Sequence, residues 1–289
     1  MAMSSNHLLG LGPHGFHRFH YTEWGDPCND KILLCVHGLT RNGRDFDALA
    51  TALEDTYRII CPDVVGRGRS DWLDHKTDYG YPQYLADMTA LIARSGAGQV
   101  DWVGTSMGGL IGMLLAAQPG TPIRKLVMND VGPFIPKAGL QRIAEYVGKP
   151  VRFASLDQME RCLRLVAAPF GPLTDAQWRH LTVHSARQLD SGEYVFAYDP
   201  GIAEPFKDKL EDVDLWPVWD AVRCPVLVLR GADSDVLTRT DAAAMQTRGP
   251  QATLVEFAGI GHAPALLDEQ QIEVVRDWLF KVDDTQDTE

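Results

Sequence analysis

Short apolar runs alternate along the chain with segments in which apolar residues return every three to four positions, and the two periods predict strands and helices in turn. Strands are expected over Phe16 to Trp24, Lys31 to Val36, Tyr57 to Pro62, Gln99 to Val103, Lys125 to Asn129, Pro225 to Arg230 and Thr253 to Phe257, with helices over Asp45 to Leu53 and Tyr81 to Ser95. Such alternation predicts an α/β fold: a doubly wound, mostly parallel sheet with helices on both faces. The pattern pauses between Phe134 and Trp216. Helical periods at Leu140 to Val147, Leu156 to Val166 and Asp175 to Gln188 are separated there by Pro150, Pro169, Gly171 and Pro172, without strong strand alternation. The expectation is a helical cap, residues 134–216, inserted into a core domain of residues 1–133 and 217–289.

One segment concentrates the candidate chemistry. Gly104-Thr105-Ser106-Met107-Gly108 follows a strand-like run and opens a Gly/Ala-rich apolar stretch, so a serine stands where strand turns into helix. So tight a corner forces its central residue toward positive φ and leaves room only for glycine two residues before and after. The Ser106 hydroxyl then projects from the backbone, with the Met107 amide at a helix N-terminus able to stabilise negative charge. Ser106 is the candidate nucleophile. Gly231-Ala232-Asp233-Ser234-Asp235 follows a later strand, and Gly261-His262-Ala263-Pro264 follows the last. The order is serine, acid, histidine. A serine hydroxyl needs an imidazole to take its proton, and the imidazole needs a carboxylate to fix its tautomer.

With these residues in view, the chain resembles the α/β-hydrolase fold superfamily from about Phe16 to Phe280, as a serine esterase-like member with a helical lid and an eight-stranded type of sheet. Val36-His37-Gly38-Leu39 resembles the family's oxyanion loop, which implies that the Leu39 amide joins that of Met107, with His37 and Gly38 beside the substrate. Asp63-Val64-Val65-Gly66-Arg67-Gly68-Arg69-Ser70 is similar to a structural loop of the family. The resemblance implies a Ser106, Asp235, His262 triad. Asp233 is an alternative acid, as is Asp130 in Asn129-Asp130-Val131-Gly132-Pro133, because some relatives carry their acid after that strand. From the cap, Phe134, Ile135, Phe170, Trp178 and the Tyr194 to Tyr198 segment are candidate pocket residues, with Phe134 and Trp178 taken as substrate-binding; packing of the helical layer is the competing role for each.

Composition narrows the partners. A formal charge of −12 opposes standing attraction to nucleic acid or anionic membrane and favours small neutral substrates over polyanions. Five cysteines without C-x-x-C spacing read as reduced packing residues, and the N-terminus lacks a basic, apolar leader, so a cytoplasmic protein is expected, monomeric or homodimeric. Neither a dinucleotide fingerprint nor a phosphate loop is present. His14, His17 and His20, and the pair His180 and His184, lack carboxylate or cysteine ligands at metal spacing, so no metal and no cofactor is expected. The reading is a hydrolase of small carboxylic esters or lactones working with water through an acyl-serine. Two alternatives use the same fold: carbon–carbon hydrolysis of ring-fission dienoates, although Ala263 stands where such relatives often have tryptophan after the histidine, and a ligand receptor without turnover.

Overall fold

The computed structural model describes residues 3–206 and 210–281; the acidic tail from Asp283 lies outside them. The chain runs β1 (Ser4–Gly12), β2 (Gly15–Trp24), β3 (Ile32–Val36), α1 (Asp47–Leu53), β4 (Arg58–Pro62), α2 (Tyr81–Ser95), β5 (Val100–Thr105), α3 (Met107–Ala116) and β6 (Ile123–Asn129). It continues through β7 (Phe134–Ile135), α4 (Lys137–Ala144), α5 (Leu156–Val166), α6 (Asp175–Ser185), β8 (Ala186–Gln188), β9 (Tyr194–Phe196) and β10 (Val213–Asp214). Last come α7 (Trp216–Trp219), β11 (Val226–Gly231), α8 (Arg239–Met245), β12 (Thr253–Phe257) and α9 (Glu269–Phe280).

Eight strands form one sheet in the order β1-β2-β4-β3-β5-β6-β11-β12. Pairing is parallel from β4 to β12, while β2 runs antiparallel to β4 and β1 antiparallel to β2. Both faces are covered, which is why the inner strands read as continuous apolar runs. Ile32, Leu34 and Val36 pack on one face with Met88 and Leu91 of α2 and Ile111 of α3, and Leu33 and Cys35 on the other with Leu49 of α1 and Val275 of α9. Two differences from the sequence reading stand out. The N-terminal stretch is a strand, because Ser4 to Gly12 pairs residue by residue with β2. Between residues 134 and 216 there is a small hairpin, β8 with β9, which is too short for its alternation to register. β10 returns to pair with β7, so this stretch leaves and rejoins the sheet domain at one place.

The corner between β5 and α3 is the tightest contact on the sheet. Ser106 has φ 51°. A Cβ on Gly104 would lie 2.2 Å from the Gly108 carbonyl oxygen, and one on Gly108 would lie 1.9 Å from that of Val36. Both obstacles are backbone, so neither can swing aside. Gly108→Ala is expected to lower unfolding stability by about 3 kcal/mol in urea titrations, although alanine ordinarily favours a helix. Gly98→Ala, where a Cβ meets nothing within 4 Å, should change stability by no more than about 1 kcal/mol. Equal midpoints for the two variants would contradict the steric account.

Candidate active site

Strand ends deliver the site. β5 ends at Thr105, and its neighbour β6 ends at Asn129 in direct register with it. The loops after β11 and β12 curl over the same edge, where open α/β sheets bind their ligands. The Ser106 Oγ lies 2.9 Å from Nε2 of His262, and Nδ1 of that imidazole lies 2.7 Å from Oδ2 of Asp130. With Nδ1–H donating to the carboxylate, Nε2 is left as acceptor for the serine hydroxyl. Asp130 is fully buried, whereas the His262 side chain is 12% exposed. The carboxylate also accepts from the Gly231 amide at 2.8 Å and the Ser234 hydroxyl at 2.6 Å.

Asp235 therefore does not hold the place expected of it. Its carboxylate pairs with Arg142 of α4, which donates from Nη2 at 3.0 Å and from Nε in a second, shorter contact. Asp233 and Asp235 are both exposed. Asp130 follows β6, the strand beside the one that carries Ser106, and the end of β11 turns its Gly231 amide and Ser234 hydroxyl toward that carboxylate while Asp235 reaches out to Arg142 of α4. Ser234, which the sequence reading passed over, earns its position as a donor to Asp130; its signal was a hydroxyl in the same loop as the two favoured acids.

The other candidates divide. Gly38 lies against Ser106, since a Cβ on it would sit 3.7 Å from the serine Cβ. Leu39 lines the cavity with Ser106, and Met107 opens α3 directly after it. The loop that holds Leu39 is tied down by the fully buried Arg67, whose Nε donates to the Leu39 carbonyl at 2.9 Å. His37 is not beside the substrate space. It is fully buried, donating from Nδ1 to the Gly38 carbonyl at 2.7 Å and accepting the Val64 amide on Nε2 at 2.9 Å. Phe134 and Trp178 also depart from expectation. Phe134 lies in the β7–β10 pair and lines neither of the cavities that reach Ser106, and Trp178 packs with Leu163, Ala167 and Leu181 as the core of the α5–α6 layer.

Two cavities meet at Ser106. One, of about 100 Å³, is lined by Ser106 and His262 below and by Arg142, Tyr146, Phe170 and Tyr198 from the 134–216 stretch. The other, of about 160 Å³, is apolar, with Tyr81, Leu110, Ile135 and Val236 in its wall. The histidines considered for metal binding are otherwise engaged: His14 with Asp78, His17 with Asp87 and His20 with Asp63. His180 and His184 do gather with Asp47, their ligand atoms within 4.8 Å of one another. Arg44 donates to both Asp47 oxygens there, so a positive charge already fills the role a cation would play.

Burial holds the His37 pKa down to about 4, against 6.5 for an exposed imidazole. The folded protein therefore excludes a proton that the unfolded chain accepts. Stability from this residue is complete above pH 6.5 and is lost as pH falls from there toward 4, by up to about 3 kcal/mol. Urea titrations from pH 7 to 4 should show a shallower decline for His37→Gln than for the wild type; parallel declines would contradict a buried neutral imidazole.

Comparison with known proteins agrees with this fold. The model of the alpha/beta hydrolase family matches residues 33–278. A 3-hydroxybutyrate-oligomer hydrolase of Cupriavidus necator is 46% identical over 285 residues, covering 94% of this chain and 97% of that protein. An esterase of Mycobacterium tuberculosis is 30% identical over 237 residues, 78% of this chain and 74% of its own. The crystal structure of an alpha/beta hydrolase from Novosphingobium aromaticivorans superposes with a TM-score of 0.87 at 38% identity, covering 98% of this chain and all of that one. With a family model spanning most of its length and a near-full-length relative at this identity, the chain belongs to the alpha/beta hydrolase family.

Proposed function

We propose that this hydrolase cleaves carboxylic esters through an acyl-Ser106 intermediate, with His262 as general base and acid and Asp130 as the third member of the triad. The observation that carries the reading is one imidazole bonded on one side to a serine hydroxyl and on the other to a buried carboxylate. His262 Nε2 removes the Ser106 proton as Oγ attacks the ester carbonyl, and the amides of Leu39 and Met107 stabilise the oxyanion. The imidazolium returns its proton to the departing alcohol. Water then attacks the acyl-serine, its proton taken by the same nitrogen, and as the C–Oγ bond breaks that proton passes to Ser106 Oγ and the acid leaves. Throughout, Asp130 holds the tautomer and stabilises the imidazolium.

Residues 134–216 act as the cap. Excluding water over Ser106 strengthens each electrostatic contact beneath it. The near-full-length relative that acts on 3-hydroxybutyrate oligomers supports short hydroxy-acid esters as the substrate class.

Ser106→Ala should reduce p-nitrophenyl acetate turnover at least about a thousandfold, with loss of labelling by a fluorophosphonate. Labelling that persists at another residue would refute the assignment. Asp130→Asn should lower kcat by about 10⁴, whereas Asp235→Asn should stay within tenfold of wild type on the same neutral ester. The reverse ranking would return Asp235 to the triad.

A further inference from the structure

Most of the cavity above Ser106 is apolar, with Ile143, Leu163, Val166 and Phe170 in its wall, yet two arginines line it as well. Arg41 is committed to the fold: its Nε and Nη2 donate to Asp45 and its Nη1 to Ser185, and the residue is 9% exposed. Arg142 is different. Its side chain is 34% exposed, and Asp235, 48% exposed, engages only Nε and Nη2. A guanidinium presents five N–H donors in a flat fork and can serve two carboxylates, one on the Nε edge and one across the two terminal nitrogens. Asp235 on the Nε edge fixes the plane of that fork, and Tyr146, a neutral phenol whose pKa burial raises, is a further hydrogen-bond partner of the guanidinium on the same wall. The protein as a whole carries −12, so an anionic substrate is repelled at long range and needs a local cation to be held.

We propose that Arg142 is a specificity residue that binds a free carboxylate on the substrate, so that the enzyme prefers linear esters of hydroxy acids ending in a negatively charged carboxylate over their neutral counterparts. This rests on the ester-hydrolase reading above. Asp235 is then a positioning residue for Arg142.

The test compares 3-acetoxybutyrate with 3-acetoxybutyramide, which have the same scissile ester but differ in charge. Wild type should favour the carboxylate in kcat/KM. Arg142→Gln should reduce that preference tenfold or more, mainly through a raised KM for the carboxylate, with a smaller loss on the amide. Arg142→Lys should restore part of the preference, and the wild-type preference should weaken as salt rises from 50 to 500 mM. Absence of any wild-type preference, insensitivity of the preference to salt, or equal loss on both substrates in Arg142→Gln with a lowered Tm would overturn the proposal, the last by showing a mere tether between α4 and the β11 loop. Retained p-nitrophenyl acetate turnover in those cases leaves the hydrolase reading standing; its absence in the wild type overturns both.

Discussion

A carboxylate sealed from water costs several kcal/mol unless donors surround it, and the architecture of this site follows from meeting that demand at Asp130. The residue is fully buried, with φ 56°. Three donors converge on it: the Gly231 amide, the Ser234 hydroxyl and the His262 imidazole. They come from the loops after β11 and β12, so one buried charge fixes three loop ends relative to each other. Neither Gly231 nor the histidine loop has slack, since a Cβ on Gly231 would lie 2.2 Å from the Gly261 carbonyl. The imidazole, so held, meets a serine whose own position is set by the glycine-walled corner between β5 and α3.

Charge is divided between the sheet domain and the stretch from residue 134 to 216. Beneath the cavity the polar groups are paired and buried, which suits a group that must keep one tautomer and one orientation. Above it stand aromatic and aliphatic side chains with Arg142 among them. The Arg142–Asp235 pair spans the two parts, half exposed on both sides, and such pairs contribute little to stability. Its interest lies in what the guanidinium faces. On the proposed reading, bond cleavage belongs to the floor and substrate choice to the roof, which the fold permits because loops at strand ends can change without disturbing the sheet.

Much of this was legible in the sequence, for reasons that differ from residue to residue. Continuous apolar runs mark the central strands because both sheet faces are covered, and Gly104 and Gly108 announce the corner because no side chain fits there. Ser106 and His262 follow from those loops, and their 2.9 Å contact was a matter of folding the sheet. The partner of His262 was not legible, since Asp130, Asp233 and Asp235 all follow sheet strands and only the folded loops turn the Gly231 amide and Ser234 hydroxyl toward Asp130 while Asp235 pairs with Arg142. His37 misled because the resemblance to an oxyanion loop puts it beside the substrate with Gly38, while its two hydrogen bonds are both to backbone. Trp178 misled because apolar residues of a thin helical layer can face either inward or toward a ligand, which periodicity does not distinguish, and Phe134 misled because a two-residue strand leaves no alternation to read. Strand β1 escaped notice because its residues are largely exposed at a sheet edge and so lack an apolar signature.

The central claim is that His262 is held by Asp130, and the imidazole proton between them reports on it directly. Proton NMR of the wild type and of Asp235→Asn should show one strongly deshielded, slowly exchanging Nδ1–H resonance, and Asp130→Asn should abolish it. Persistence of that resonance in Asp130→Asn, or its disappearance in Asp235→Asn, would contradict the account.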